Sequence, residues 1–531
     1  MAAARGPGLA RAARRLGAAA LRAARAHRWF LALLAVGAAL RAVAMLGYRP
    51  ALWFPDSYTY VVTAMRPRPD LVRPAGYSMF LRLLEPFHSF AAVVLVQHLI
   101  GLATAVLVYH AVLRAGGRRW AGTLAAAPVL LDAYQIELEH LLVSDALFGL
   151  LVAGAVVAAL REPTWRTVCA AGLLLGAATL TRTVGLPLIA LVTCWTAVRL
   201  VAGHRPGGTR RAYPEGTRVP PGVRLRVWAS RSRRLGLAGL LAAVALAPVA
   251  AYAAWFSATY HRFGIVGSNG VFLYSRTMAF ADCGVMRPSP DLAVLCDPTP
   301  PERRPPSQEY IWAAWSPLVA LPGITFTEQT DRLAGRFASL AIRSQPGDFA
   351  ASVLSEFART FTWGRPVYPD REIYGYYEFP ATPPPPPGRY PATVGAAFAE
   401  RYERGPIGTW IVEPFAGWTR GYQHVVRLPG TALLVVLLLP PAVAVARAAR
   451  RRGRTGTAWT LPWASSVALL LTPAVTAQFD YRYVLPSVPL ACLAAALAGR
   501  GRPRSEPDPT GSCELPVKPG ITIFHRISSP E

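Results

Sequence analysis

The stretch FAAVVLVQHLIGLATAVLVYHAVL, residues 90–113, decides the fold because it contains no Asp, Glu, Lys or Arg. A helix needs about 20 mostly apolar residues to cross the hydrocarbon core of a bilayer, and this stretch is long enough. Similar apolar blocks recur along the chain. The sequence therefore predicts an all-α polytopic membrane protein of about ten transmembrane helices. The other blocks lie at about 29–47, 120–136, 141–160, 167–181, 184–202, 235–257, 427–447, 457–475 and 483–499.

The composition agrees with a membrane protein. Of the 531 residues, 53% are hydrophobic and 16% are charged, whereas soluble proteins carry roughly 25% charged residues. The net charge of +27 does not indicate nucleic acid binding, because there is no soluble basic face interleaved with aromatic residues. Lys518 is the single lysine beside 55 arginines. That bias is typical of a GC-rich genome, such as that of an actinobacterium.

Arginines sort the gaps between the blocks into two sides. The gaps at 114–119, 161–166, 199–234 and 447–454 are rich in arginine, and such gaps face the cytoplasm. Both termini then lie inside, and the protein is expected in the plasma membrane. The predicted parts are a basic cytoplasmic N-terminus (1–28), a transmembrane module of about seven helices (29–257) with a first outer loop (48–89), an extracytoplasmic domain (258–426), C-terminal transmembrane helices (427–499) and a cytoplasmic tail (500–531).

Ala42-Val43-Ala44 also has the form of a signal-peptidase site, but nine further spans favour a retained first helix. The segment 258–426 is too long for a loop and is predicted to be a domain of mixed secondary structure. Helical spacing occurs on both sides of Pro346-Gly347, which should separate two helices. Cys283 and Cys296 share this segment, and outside the cytoplasm a disulfide between them is expected.

Two motifs in the first outer loop carry candidate chemistry. Asp56 lies in Trp53-Phe54-Pro55-Asp56-Ser57-Tyr58. It would either cap a helix within an interfacial aromatic belt or place a carboxylate at the mouth of a membrane cavity. Arg73-Pro-Ala-Gly-Tyr77 is either a simple turn or a fixed guanidinium backed by a tyrosine, which suits a phosphate.

Ionisable residues near a membrane are functional candidates because their burial is costly. His98 lies inside the second apolar block, where it either has a neighbouring partner or acts directly. Glu137, Glu139, His140 and Asp145 surround the third outer turn. A divalent cation is one interpretation of this group, although its spacing fits no established metal template.

Two further arginines are informative by their position. Arg182 occupies a short outer turn, against the positive-inside trend, so it requires an anion, either a carboxylate or a substrate phosphate. Arg482 lies in Phe479-Asp480-Tyr481-Arg482-Tyr483 at the start of the last block. It would pair with Asp480 or point toward a phosphate.

The order of these motifs resembles that of the GT-C glycosyltransferases. The pattern is Asp-x-Tyr after the first helix, Arg-Pro-x-Gly-Tyr, a Gln-His helix, an acidic third outer turn, a lone outer arginine, a large outer domain and Arg-Tyr-x-x-Pro-x-x-Pro. This family includes the protein O-mannosyltransferases, the aminoarabinose lipid A transferases and RgtA/B/C/D-like proteins. The resemblance covers about 50–200 best and is weaker at 476–490.

The resemblance implies an inverting sugar transfer from a polyprenyl-phosphate donor to an acceptor, which is a cell-envelope glycan, lipid or protein. Asp56 would be the catalytic base, although Ser57 and Tyr58 replace the second acidic residue that many members carry. The resemblance implies that the carrier phosphate is held by Arg73, Tyr77, Arg182 and Arg482. The further candidates for substrate binding are Tyr58, His98, Glu139 and Asp145. No cofactor is certain from the sequence, and a divalent cation remains open.

Other classes of membrane protein remain as alternatives. Transporters and lipid flippases usually have two related halves with a site near the midplane, whereas these halves differ and the candidate residues lie at the outer side. A polysaccharide polymerase or ligase would also use a lipid-linked sugar, and a non-catalytic scaffold would tolerate loss of Asp56. The glycosyltransferase hypothesis is favoured over all three.

Overall fold

The computed structural model describes residues 22, 24–202, 221–385, 388, 390–450 and 457–499. It confirms an all-α polytopic membrane fold. Most of the predicted cytoplasmic N-terminus, part of the arginine-rich stretch 199–234 and the tail from residue 500 lie outside the described residues.

Ten helices precede residue 261 in the described part of the chain. They are α1 (Arg28–Gly47), α2 (Pro55–Met65), α3 (Gly76–Leu84), α4 (Phe90–Arg114), α5 (Arg119–Leu131), α6 (Ala133–His140), α7 (Asp145–Leu160), α8 (Trp165–Thr181), α9 (Gly185–Ala202) and α10 (Pro221–Tyr260).

The following segment is mainly helical, where the sequence predicted mixed secondary structure. Its helices are α11 (Asn269–Thr277), α12 (Cys283–Met286), α13 (Pro290–Ala293), α14 (Glu309–Trp312), α15 (Glu328–Ser344), α16 (Pro346–Arg359), α17 (Arg371–Gly375), α18 (Tyr390–Glu403) and α19 (Phe415–Val425). After it come α20 (Gly430–Ala449), α21 (Thr460–Thr476), α22 (Tyr481–Val484) and α23 (Val488–Ala498).

Seven helical stretches in the described residues are long and apolar enough to cross a membrane. Helices α7 and α8 are apolar but shorter. The predicted block 120–136 is not one helix, because α5 ends at Leu131 and the Asp132 carboxylate accepts a hydrogen bond from the Tyr134 N–H to start α6. The seven stretches are Arg28–Gly47, Phe90–Arg114, Gly185–Ala202, Leu235–Tyr260, Gly430–Ala449, Thr457–Thr476 and Tyr481–Ala498.

Close packing of α8 against α10 depends on two glycines one turn apart. A Cβ atom at Gly172 would lie 2.8 Å from the Leu241 carbonyl oxygen, and one at Gly176 would lie 2.6 Å from Pro248 Cγ. Small residues at this spacing let membrane helices approach closely and gain van der Waals contact. The adjoining core, which includes Phe148, is contributed largely by α7, α8, α9 and α10.

The segment between α10 and α20 is attached to the membrane helices at several points. Strand β1 (Tyr48–Arg49), directly after α1, pairs antiparallel with β2 (Trp410–Ile411). Helix α18 packs on α2. Helices α15 and α16 meet at Pro346, which confirms the predicted break. Cys283 and Cys296 form a disulfide with their Cα atoms 6.1 Å apart.

Candidate functional site

Asp56 lies in the first turn of α2 and is buried. It does not cap the helix, because the Ser57 hydroxyl accepts the hydrogen bond from the Phe54 N–H at the helix start. The Asp56 carboxylate instead accepts hydrogen bonds from two arginines that are far apart in sequence. Arg73 Nη2 lies 2.5 Å from Oδ1, and Arg482 Nη2 lies 2.9 Å from Oδ2.

A second carboxylate and a further arginine adjoin this pair. Asp145 is the first residue of α7, and Arg182, in the turn between α8 and α9, forms an ion pair with it. Arg482 Nε lies 3.9 Å from Asp145 Oδ2, so Arg482 connects the two carboxylates. We call Asp56, Arg73, Asp145, Arg182 and Arg482 the Asp56 cluster. With all five side chains charged, it carries a net charge of +1.

The electrostatics of the cluster keep Asp56 ionised. Burial alone would raise the pKa of Asp56, but the guanidiniums of Arg73 and Arg482 together lower it well below its usual range. Opposite charges within hydrogen-bonding distance favour the charged form in this way. At neutral pH Asp56 is therefore a carboxylate, which can accept a proton.

Aromatic rings and Asp480 surround the arginines of the cluster. The Arg482 guanidinium carbon lies 4.8 Å from the centre of the Phe54 ring, and that of Arg182 lies 4.8 Å from Tyr483. Asp480 does not form the ion pair with Arg482 that was one sequence interpretation. Its carboxylate accepts hydrogen bonds from the Tyr377 hydroxyl, at 2.8 Å, and from the Arg482 backbone N–H.

The two tyrosines among the candidates are buried, but they already pack against other parts of the protein. The Tyr58 ring stacks on Trp53 with 4.8 Å between ring centres, and burial raises the pKa of Tyr58 to about 12. The Tyr77 hydroxyl donates to Gln97 Oε1 at 2.6 Å. In this arrangement Tyr77 is not available to a phosphate.

Glu139 and His98 lie in a separate buried network. Arg41 Nε and Nη2 lie 2.7 and 2.8 Å from the two Glu139 oxygens, and His98 Nδ1 lies 3.1 Å from Glu139 Oε2. Arg41 also donates to the Val129 and Leu130 carbonyls at the end of α5. None of the contacts that the structure gives these three side chains is to a member of the Asp56 cluster.

The acidic residues of the third outer turn therefore separate, since Asp145 joins the Asp56 cluster and Glu139 joins Arg41. Within the described ranges there is no group of three or more His, Cys, Asp or Glu side chains that could hold a metal ion. The structure adds Arg41, Phe54, Tyr377 and Tyr483 to the residues singled out from sequence. Arg41 could have been singled out from sequence because it is an arginine inside an apolar block.

The cluster also adjoins a pocket. Arg482 is among its lining residues, and the pocket encloses about 660 Å³ of empty space, part of it open to solvent. The opposite sides come from α6, the segment around Arg365 and the start of α20. These features define a polytopic membrane protein with a buried ionic centre beside a pocket.

Comparison with known proteins gives distant structural likenesses. No protein-family model matches the chain, and no curated protein sequence matches it. The chain is similar to the Saccharomyces cerevisiae protein O-mannosyltransferase Pmt1–Pmt2 complex bound to the sugar donor, with 16% identity and a TM-score of 0.33 over 44% of this chain and 34% of that one. It spans about a third of the length of that protein.

It is also similar to ArnT from Cupriavidus metallidurans bound to undecaprenyl phosphate, with 15% identity and a TM-score of 0.32 over 89% of this chain and 77% of that one. At these identities and TM-scores neither likeness establishes function.

Proposed function

We propose that the protein is an integral membrane glycosyltransferase that moves a sugar from a polyprenyl-phosphate donor to an extracytoplasmic acceptor with inversion. The observation that carries the proposal is the Asp56 cluster, in which a buried carboxylate lies between two guanidiniums at 2.5 and 2.9 Å. The Asp56 carboxylate can accept a proton, while the guanidiniums can stabilise a phosphate leaving group. The sequence motifs that resemble the GT-C glycosyltransferases contribute Asp56, Arg73, Arg182 and Arg482 to this cluster.

The proposed reaction is a single displacement. An acceptor hydroxyl oxygen forms a bond to the anomeric carbon of the sugar, and the bond from that carbon to the phosphate oxygen breaks. The hydroxyl proton passes to Asp56, and the polyprenyl phosphate leaves as a monoester. Guanidiniums suit the developing charge on the leaving phosphate because they present several N–H donors in a fixed plane.

The low pKa of Asp56 makes it a weak base while both guanidiniums remain bound to it. A donor phosphate that draws a guanidinium away would raise the basicity of Asp56. The base would then become effective only when the donor is present.

The test is sugar transfer from a radiolabelled polyprenyl-phosphate sugar pool by membranes that contain the wild type or a variant. We expect Asp56→Asn to lower transfer by about 100-fold or more, since general-base catalysis contributes about 10²–10⁴-fold. Asp56→Glu keeps a negative charge beside the two arginines and separates catalysis from folding. Asp291→Asn, in the exposed Asp291–Arg336 pair, is the matched control.

Equal transfer by wild type and Asp56→Asn, at equal protein levels, would show that Asp56 is not the base. No transfer by the wild type with several donors would contradict the proposed function itself. Retained activity in the Asp291 control excludes a general effect of removing a carboxylate.

A further inference from the structure

The pocket beside the Asp56 cluster contains buried polar groups that the proposed reaction does not use. Arg365 lies in the segment between α16 and α17, and its Nε and Nη1 atoms are buried without a hydrogen-bond partner in the described part of the chain. The guanidinium carbon lies 3.3 Å from the centre of the Tyr134 ring and 4.2 Å from that of Tyr481. Both rings also line the pocket.

A guanidinium between aromatic rings is oriented before any ligand arrives. The rings attract its faces and leave the N–H donors at its edge to bind a planar or tetrahedral oxyanion. Buried donors without a partner cost free energy, because they have given up their hydrogen bonds to water. Arg365 therefore has unused hydrogen-bonding capacity in a fixed direction.

Two further groups in the pocket also have buried polar atoms without a hydrogen bond. Arg482 lines it. Its Nη2 atom binds Asp56 and its Nε atom faces Asp145 at 3.9 Å, but its Nη1 atom forms no hydrogen bond among the described residues. Glu137 is only 1% exposed, and its Oε1 atom has no hydrogen-bond partner there either. Burial raises the pKa of Glu137 well above its usual range although Arg365 opposes the shift. This favours a neutral carboxyl group that can donate a hydrogen bond.

The balance of charge in the pocket suits an anion. Arg365, Arg427 and Arg482 line it together with Asp132 and Glu137. Asp132 already accepts the Tyr134 N–H at the start of α6. Arg482 already faces Asp56 and Asp145 on its other side, as Arg73 and Arg182 face carboxylates in the Asp56 cluster.

We propose that this pocket is a phosphate-binding site in which Arg365 and the Nη1 group of Arg482 hold the phosphate oxygens. The phosphate would belong either to a lipid carrier or to a water-soluble compound. Since Arg482 also binds Asp56, a phosphate bound here lies one side chain away from the proposed base. The site is separate from the proton-accepting carboxylate and can be tested without measuring transfer.

The test is equilibrium binding to the purified full-length protein in detergent. The probes are farnesyl phosphate, inorganic phosphate and, as a neutral comparison, farnesol. We expect the wild type to bind farnesyl phosphate and Arg365→Gln to bind it at least about tenfold more weakly, because hydrogen bonds to charged groups are strong. Arg332→Gln, at an exposed arginine on α15, is the matched control and should bind as the wild type does.

The two probes distinguish the sources of the phosphate. If the Arg365 substitution weakens binding of farnesyl phosphate but not of inorganic phosphate, the ligand is a lipid carrier. If it weakens binding of both probes equally, the ligand is a water-soluble phosphate. Should Arg365→Gln fail to fold, Arg365→Lys keeps the charge but loses the planar fork, and the same weakening is expected. Absence of phosphate binding by the wild type, or unchanged binding by the Arg365 variants, would overturn the proposal.

Asp56→Asn separates this inference from the proposed function. We expect it to retain Arg365-dependent binding of phosphate while it loses transfer. Binding without transfer in the wild type would count against the proposed function and leave the phosphate site supported.

Discussion

Arg41 shows how one charged residue can organise the C-terminal end of a membrane helix. Its guanidinium binds both oxygens of Glu139 and the two carbonyls at the end of α5. Gly101 on α4 leaves the space that the Glu139 carboxylate occupies, since a Cβ atom there would overlap it. The charged groups of this network already have hydrogen-bond partners within the protein, which is typical of a structural ion pair.

We predict that Arg41→Met destabilises the protein by about 3–5 kcal/mol, because it leaves the Glu139 carboxylate buried without its counter-charge. Adding Glu139→Gln removes that charge and should restore part of the lost stability. The measurement is thermal unfolding of the purified single and double variants in detergent. Additive losses in the double variant would show that the two side chains are not coupled, in conflict with the contacts.

The Asp56 cluster was partly predictable from single residues. Each member of the cluster is a charged residue beside an apolar block, and the sequence therefore indicates it as a candidate. The members are Asp56, Arg73, Asp145, Arg182 and Arg482. Sequence alone could not join them, since Asp56 and Arg482 are 426 positions apart. It also grouped Glu139 with Asp145, although the start of α7 turns Asp145 toward Arg182 and leaves Glu139 with Arg41.

Arg365 had no signal in the sequence. It lies in an irregular segment with no helical periodicity, and its ring partners Tyr134, Tyr374 and Tyr481 come from α6, α17 and α22. Only the tertiary fold brings these rings to one guanidinium. Irregular segments commonly carry functional residues while the regular elements position them.

At the scale of elements, α18 covers α2, the helix that carries Asp56. The contact is close because residue 395 is glycine, and a Cβ atom there would lie 2.5 Å from Tyr58 Cβ and 3.1 Å from Tyr58 Cα. Near the end of α18, the Tyr402 hydroxyl donates to the Leu81 carbonyl at 2.7 Å. Helix α18 therefore holds α2 against the membrane helices.

We predict that Gly395→Ala costs about 1–3 kcal/mol, as expected for overpacking a tight contact, and lowers transfer because α2 must shift with Asp56. Gly405→Ala is the matched control, since a Cβ atom at Gly405 meets nothing within 4 Å. Thermal unfolding and transfer should both distinguish the two variants. Wild-type behaviour of Gly395→Ala would mean that α18 is not packed on α2 as described.

The last apolar block shows why a hydrophobic pattern alone misses local geometry. The sequence predicted a span at 483–499, but the structure divides it into α22, a 3₁₀ turn at Leu485–Ser487 and α23. Proline lacks a backbone N–H and interrupts regular helical hydrogen bonding, and Pro486 and Pro489 lie at this division. The interruption places Arg482 on a separate short turn beside Asp56.

At the scale of the whole molecule, buried contacts join the segment after α10 to the membrane helices. Arg276 on α11 is fully buried and donates through Nε to the Ala474 carbonyl near the end of α21, at 2.8 Å. Strand pairing of β1 with β2 makes a second attachment. These attachments account for a pocket whose lining comes from both parts of the chain.

The orientation in the membrane is still a prediction, and three exposed tryptophans bear on it. Trp29, Trp120 and Trp165 are exposed near the first residues of α1, α5 and α8, the ends that the arginine distribution assigns to the cytoplasm. Tryptophan is enriched at the interfaces between membrane and water. The proposed topology requires that these three helix ends lie at the same interface between membrane and water.

We predict that Arg118→Cys, between α4 and α5, faces the cytoplasm and that Arg332→Cys, on α15, faces outward. Both positions are exposed. The background would have Cys169, Cys194, Cys492 and Cys513 replaced by serine and would retain the Cys283–Cys296 disulfide. An impermeant maleimide should label Arg332→Cys in intact cells and Arg118→Cys only after permeabilisation, with the parent background unlabelled in both. Labelling of both variants from one side would contradict the topology and, with it, an acceptor outside the cytoplasm.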